Sequence, residues 1–245
     1  MSATAIILAR AGSRGVPGKN VAPVADRPCI AWTIDDANAA NEVSRVCVSS
    51  DDERALEVAR SMGVETVERP NQLADDGATI DDAARHAYDK LGSPDGPVVI
   101  LYANVPVRPA GLIDRAIEMM GHTNADSVQS YAPVGKHHPW WTVRVDMMSG
   151  DVRPWEGGVL NHGVYRRQDL PAAYGPDGGV IVVSADALMR RVGAPDGPHG
   201  FLGNNRRGVL TGEGEVVDID SRIDLLVADA VLRERVAKLN ALKAG

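Results

Sequence analysis

Over its first 121 residues the chain alternates apolar, strand-like runs with helix-like segments, and few architectures accept that order. The succession is "TAIILA", a helical segment at 28–40, "RVCVSS", a helix at 52–62, "VETVE", a helix at 79–90, "PVVILY" and a helix at 110–121. This pattern predicts an α/β fold, a doubly wound and mostly parallel sheet with helices on both faces. Ligands of such sheets bind beyond the carboxyl ends of the strands. Attention therefore falls on Arg10 to Asn20, Ser50 to Asp52 and Ala103 to Arg108. With 245 residues, 44% of them hydrophobic, the chain can bury a full core as a single domain over 1–245.

From about 131 to 176 the alternation stops. This stretch is rich in Pro and Arg and holds Trp140, Trp141 and Trp155, all but one of the four tryptophans. Clustered Trp marks interfaces as well as cores. It reads either as a hairpin over its own core or as a dimerisation arm packing on a second copy, and we expect the arm. The strand-like "GGVIVVS", a short helix, the strand-like "GEVVDID" and a helix from 222 to about 242 follow.

A formal net charge of −7 argues against coating nucleic acid or a membrane surface, which takes a broad basic face. Any anion site must be local. Cys29 and Cys47 lack metal-ligand spacing and read as buried packing. About six apolar residues precede Arg10, too few for a signal peptide, and no run reaches the ~18 needed to cross a bilayer. The expected setting is a reducing cytoplasm.

The loop "ARAGSRGVPGKN" follows the first strand. It lacks the glycine and Ser/Thr positions of a Walker loop, and Arg14 stands where a dinucleotide fingerprint has its second glycine. Gly12, Gly15 and Gly18 still let backbone N–H groups approach oxygens, while Arg10, Arg14 and Lys19 can neutralise a polyphosphate. The alternative is an ordinary surface turn with solvated cations.

"LARAGSRGVPGKN" resembles the signature of the cytidylyltransferases that activate sialic acid and related 2-keto-3-deoxy sugar acids. "VSSDDERALEVARSMGVE", "ERPNQLADDGATIDDAARHA", "KHHPWW", "RRQDLPAAYGPDGGVIVV" and "VVDIDSRIDLLVAD" continue the likeness in the same order. The resemblance implies a Rossmann-like nucleotidyltransferase in which a sugar-acid hydroxyl attacks the α-phosphate of CTP, giving a CMP-sugar and pyrophosphate. It implies that Arg10, Ser13, Arg14 and Lys19 hold the triphosphate, with Arg10, Arg14 and Lys19 acting on developing charge. Leu8, Ala9, Gly12, Asn20, Ser50, Asp51, Ala78 and Thr79 would complete the nucleotide site. Lys136, Arg167 and Gln168, with Arg166 beside them, match sugar-acid stretches, as do Tyr102, Asn104 and Arg108. Asp218 and Asp220, at alternate positions of an expected strand end, point to one side and match a pair for Mg²⁺, with Mn²⁺ as a substitute. The implied partners are CTP, a keto-sugar acid and a second copy of the chain. Asp52 and Thr79 read equally as helix caps, and one of Asp218 and Asp220 as a cap for the last helix. His137 and His138, as neighbours on an extended chain, point apart and suit packing or the substrate rim better than a shared metal.

The chain departs from sialic-acid-activating relatives at "LYANVPVRP" (101–109), where "LQPTSPLR" is usual, and at Asp177 and Gly178, where Asn-Gly-Ala is usual. Substrate identity therefore stays open among sialic, 3-deoxy-octulosonic, pseudaminic, legionaminic and other nonulosonic acids. A nucleotidyltransferase for another sugar or base, and a silent nucleotide-binding protein, are the alternatives.

Overall fold

The computed structural model describes all residues except Met1, Ser13, Arg14, Asp76, Ala194, Pro195 and Gly245, and the side chains of Lys243 and Ala244. In chain order the elements are β1 (Ala3–Ala9), β2 (Pro23–Val24), β3 (Arg27–Pro28), α1 (Cys29–Ala39), β4 (Val43–Ser50), α2 (Glu53–Ser61), β5 (Glu65–Glu68), α3 (Ile80–Lys90), β6 (Val98–Tyr102), α4 (Leu112–Thr123) and β7 (Ser127–Pro133). Then come β8 (Val143–Val145), β9 (Val152–Pro154), β10 (Tyr174–Val183), α5 (Ala185–Leu188), β11 (Arg206–Leu210) and α6 (Arg222–Ala244).

Seven strands form one sheet in the order β11-β7-β10-β6-β1-β4-β5. β1 pairs parallel with β4 and β6, β4 with β5, and β11 with β7, whereas β10 is antiparallel to both its neighbours. The mostly parallel sheet expected from the alternation is thus present. Its doubly wound character shows in the alternation of β1. Ala3, Ala5, Ile7 and Ala9 join the core under α1, α2 and α4, while Ile6 and Leu8 join the core under α3 and α5. A strand covered on both faces reads as a continuous apolar run, and every residue of β1 is buried. Ile6 and Ile7 are both completely buried, which contributes roughly 1.5–3 kcal/mol each.

Several boundaries differ from expectation. "GEVVDID" is no strand; only Val217 bridges, to Val107. Two strands of the main sheet, β7 and β11, lay unrecognised because "SVQSYAP" and "RRGVL" mix polar residues with apolar ones. The last helix is capped by neither Asp218 nor Asp220. Ser221 Oγ accepts from the Asp224 N–H, and the Asp224 carboxylate accepts from the Ser221 and Asp220 N–H groups, a reciprocal capping box.

Within 134–173 the small ribbon β8/β9 stands apart from the main sheet. Trp140 stacks on His162 at 4.7 Å between ring centroids, and Trp141 Nε1 donates to the Val164 carbonyl at 3.0 Å. His138 is buried, accepting from the Trp140 N–H, with its Nε2 against the Pro171 carbonyl. These three rings hold the segment to itself. Trp155, beneath Arg144, stays exposed together with Val145, Met147, Met148, Val159 and Tyr165.

Candidate active site

The carboxyl ends of β1 and β6, the segment after β5 and the start of α3 enclose a cleft of about 310 Å³, within the ~300–1,000 Å³ range of small-molecule sites. Leu8, Arg10, Lys19, Asn20, Ala78, Thr79, Tyr102 and Asn104 line it, and so do Arg69, Leu73 and Asp75. Residues from four separate stretches of sequence thus meet at the edge where an α/β sheet binds ligands.

The loop after β1 is pinned from three sides. Asp51 Oδ1 accepts from the Ala11 N–H (2.9 Å), Asn20 Nδ2 donates to the Arg10 carbonyl (2.9 Å), and Lys19 Nζ donates to the Ile219 carbonyl (2.9 Å). Two glycines make the path sterically allowed. A Cβ on Gly15 would sit 2.0 Å from the Asp220 carbonyl oxygen, and Gly18 has φ +65°, a region costly for side-chain-bearing residues. Asn20 is buried and its Oδ1 has no hydrogen-bond partner among the described residues, so a ligand donor reaching the cleft floor meets an unused acceptor. Ser13 and Arg14 lie outside the described residues.

At the opposite wall, Thr79 caps α3 by accepting from the Asp82 N–H, while Asp75 Oδ1 takes the N–H groups of Gly77 and Ala78. This leaves the Ala78 carbonyl and the Thr79 N–H without a partner among the described residues. Asp52 likewise caps α2, and its carboxylate, held below the usual range by hydrogen bonds from the Arg54 side chain, takes that guanidinium through both oxygens. Ser50 is fully buried and accepts from the Asp52 N–H at 2.9 Å.

Asp218 and Asp220 approach from the segment before α6. Asp220 Oδ1 accepts from Lys19 Nζ at 2.7 Å. Asp218 accepts from Asn104 Nδ2, which also donates to the Ile219 carbonyl. Burial, and then the charge of Asp220, push the Asp218 carboxyl up to about 6. A half-buried carboxylate crowded by a second one is relieved by a cation, so this donor set fits a divalent metal whose other ligands come from phosphate and water.

Three expectations do not place side chains in the cleft. Arg108 is fully enclosed rather than substrate-facing. Its Nε donates to the Gly179 carbonyl (2.6 Å), its Nη1 to Thr33 Oγ1 (3.0 Å) and the Val105 carbonyl, and its Nη2 to the Tyr102 carbonyl (3.1 Å), with Asp36 at 3.5 Å. A guanidinium that spends its donors on three chain segments is a corner post of the fold. Arg167 pairs with Glu213 at 2.6 Å, and it borders a separate cavity with Gly135 and His138; neither Lys136 nor Gln168 lines the cleft. Ser50 and Ala9 are buried behind the cleft wall.

Arg69 is the residue that the sequence reading left unassigned. It is 5% exposed, donates to Ser49 Oγ (3.2 Å) and the Ser49 carbonyl (2.7 Å), and makes no ion pair among the described residues. Burial depresses its proton affinity. Burying a cation is costly; the Asp51 charge offsets part of that cost, and at the wall of a cleft the donors left over await an acceptor. The signal available in sequence was an arginine at the carboxyl end of a strand, in "ERP".

A family model described as cytidylyltransferase matches residues 4–142. The chain belongs to the cytidylyltransferase family. It is 27% identical to the N-acylneuraminate cytidylyltransferase of Streptococcus agalactiae serotype III (strain NEM316) over 98% of its length, yet spans 57% of that protein. It is 23% identical to the post-translational flagellin modification protein B of Campylobacter coli, over 94% of each chain. Against the pseudaminic acid cytidylyltransferase of Campylobacter jejuni subsp. jejuni serotype O:23/36 (strain 81-176) it is 33% identical over 46% of this chain and 50% of that protein. Among solved structures, a CMP:2-keto-3-deoxy-manno-octonic acid synthetase complexed with CTP superposes with a TM-score of 0.72 at 16% identity, covering 96% of this chain and 100% of the other. A 4-diphosphocytidyl-2C-methyl-D-erythritol synthase does so at 0.64 and 13%, covering 94% and 98%. At these identities the structural likeness establishes the nucleotidyltransferase fold. No helix among the described residues of this cytidylyltransferase is long and apolar enough to cross a membrane.

Proposed function

We propose that this cytidylyltransferase transfers the cytidylyl group of CTP to a 2-keto-3-deoxy sugar acid of the nonulosonate type, releasing pyrophosphate. The cleft shared by Arg10, Lys19 and the Ala78–Thr79 segment, with Asp220 paired to Lys19 and Asp218 bonded to Asn104 beside it, supports this reading. The anomeric hydroxyl oxygen forms a bond to the α-phosphorus while the bond to the β-phosphate oxygen breaks, and the hydroxyl proton leaves to solvent or a nearby base. Such transfer is accelerated by positioning and by charges fixed beforehand. Arg10 and Lys19, with Ser13, Arg14 and the Gly12 backbone, hold the triphosphate and the departing pyrophosphate.

The unused Ala78 carbonyl and Thr79 N–H present an acceptor beside a donor, the complement of the cytosine amino group and N3. Uracil offers the reverse. Arg69 adds a donor for the base carbonyl, and Asn20 an acceptor for a ribose hydroxyl. Asp218 and Asp220 would hold Mg²⁺, or Mn²⁺ in its place, which supplies charge neutralisation at the phosphates when bound. Tyr102 and Asn104 border the sugar end. Lys136, Arg167 and Gln168 reach a substrate carboxylate only if a second copy brings its arm over the cleft, so a homodimer belongs to this reading. Two free, buried thiols suit the reducing cytoplasm.

A mass-spectrometric screen of the purified protein with CTP, Mg²⁺ and a set of keto-sugar acids tests it. A CMP conjugate of one acid with stoichiometric pyrophosphate is expected. Product only with a sugar 1-phosphate, or with another nucleotide, would replace the reading by that chemistry.

A further inference from the structure

Behind the Ala78–Thr79 wall a buried carboxylate is held by two partly exposed arginines, a cluster that no part of the reaction uses. Asp81, two residues after Thr79, has a side chain 1% exposed. It takes Arg85 Nη2 at 2.8 Å and Arg190 Nη2 at 3.0 Å. Arg85 also bonds Asp82 Oδ1 (2.6 Å) and the Leu188 carbonyl (3.0 Å). Arg190 follows α5 with φ +55°, a conformation disfavoured for a residue with a Cβ, and its Nη2 reaches the Gly197 carbonyl at 3.3 Å as well. Strain of this kind persists where surrounding contacts over-determine it. The contacts here tie the first turn of α3 to the 185–200 segment.

The cleft wall runs from Ala78 and Thr79 into the first turn of α3 at Ile80 and Ala83, so whatever fixes that turn also fixes the Ala78–Thr79 backbone. A buried carboxylate held by two guanidiniums is a stiff fastening, since displacing either arginine weakens the compensation of a charge that water does not reach. Reading a base edge by one carbonyl and one N–H depends on that stiffness, because a displacement of about 1 Å is enough to cost on the order of 10²-fold in a positioned reaction. We propose that Asp81 and Arg190 are positioning residues that set the Ala78–Thr79 backbone against the nucleobase and thereby the preference for cytosine over uracil. This rests on the cytidylyltransferase reading above.

Arg190→Gly is the decisive variant, because it removes the guanidinium and the backbone strain together and so favours a folded product. Arg190→Lys keeps a cation, and Asp81→Asn keeps the shape. Steady-state kinetics with CTP and UTP on the full chain, with pyrophosphate inhibition in parallel, separates the two ends of the nucleotide. For Arg190→Gly and Asp81→Asn, the KM for CTP should rise about tenfold and the CTP:UTP discrimination fall about tenfold. Turnover at saturation and the pyrophosphate inhibition constant should stay near wild type. Arg190→Lys should recover part of the discrimination. Wild-type discrimination in Arg190→Gly, or equal losses in KM, turnover and pyrophosphate inhibition, would overturn the positioning role and leave the CTP reading standing. A wild-type protein without preference for CTP over UTP would overturn both.

Discussion

Lys19 Nζ lies 2.7 Å from Asp220 Oδ1, so the lysine proposed for the triphosphate and a carboxylate proposed for the metal neutralise each other in the ligand-free fold. The Lys19 side chain is 16% exposed and that of Asp220 75%, so water screens the pair from the carboxylate side and limits it to about 1 kcal/mol. The pair is therefore cheap to separate when better partners arrive, and its two members become available together.

Lys19→Ala should consequently fold with nearly wild-type stability and lose turnover by roughly 10²–10³, the usual effect of deleting a fixed donor to developing charge. Turnover at saturating CTP and sugar acid checks it. An unchanged value would return Lys19 to the role of a surface tether.

Chelation should abolish activity, and Mg²⁺ or Mn²⁺ should restore it. Asp218→Asn and Asp220→Asn should each raise the metal concentration for half-maximal rate by about tenfold or more, as loss of one of two carboxylate ligands does. If either variant keeps the wild-type metal dependence and rate, that residue is structural.

Trp155→Asp should dissociate the proposed dimer and raise the apparent KM for the sugar acid, while CTP binding changes less. Interface energy concentrates in aromatic anchors that are exposed in the free chain. Trp140→Ala and Trp141→Ala act differently, loosening the arm itself, since those rings pack on His162 and Val164. Light scattering at micromolar concentration decides; a monomeric wild type would remove the interface altogether.

Arg108→Met should destabilise the fold by about 3 kcal/mol, because a buried donor set is lost and Asp36 is left facing an apolar side chain. Urea unfolding measures the loss. The folded fraction should retain its KM for the sugar acid, the outcome that separates a structural from a substrate-binding arginine.

Burial, the dominant influence on both, raises the Cys29 and Cys47 thiols to about 12. Below the ordinary thiol value near 9 both folded and unfolded chains hold the proton, and this contribution to stability is complete. As pH rises from about 9 toward 12 the unfolded chain ionises first, and stability falls. Native protein should resist thiol reagents at pH 8 and become labelled at two sites only after denaturation. Rapid labelling of the native chain would contradict the packing.

The fold was legible where the chain is buried on both faces. "TAIILA" and "PVVILY" can be little else than central strands, and the helices between them repeat at 3.6 residues. β11 and β7 escaped because a strand near a sheet edge need not be apolar, and Arg206 or Gln129 carries no period-2 signal alone. Site residues were legible when the loop itself carried the chemistry, as with Arg10 and Lys19. Arg69 and Arg108 show what sequence hides. Two arginines, each followed by proline near the end of a strand or its loop, look alike on paper; one ends with unused donors in the cleft and the other with all its bonds inside the protein.

Because β10 runs against β7 and β6, Tyr174 pairs back onto Pro133 and the whole 134–173 insertion leaves and re-enters the sheet at a single point on the cleft edge. Lengthening, trimming or exchanging that insertion changes no strand register. Under the proposed role of the arm, substrate choice sits on a module exchangeable at Pro133 and Tyr174 while the nucleotide end stays fixed, and transplanting that segment between family members should shift sugar-acid preference without altering CTP binding.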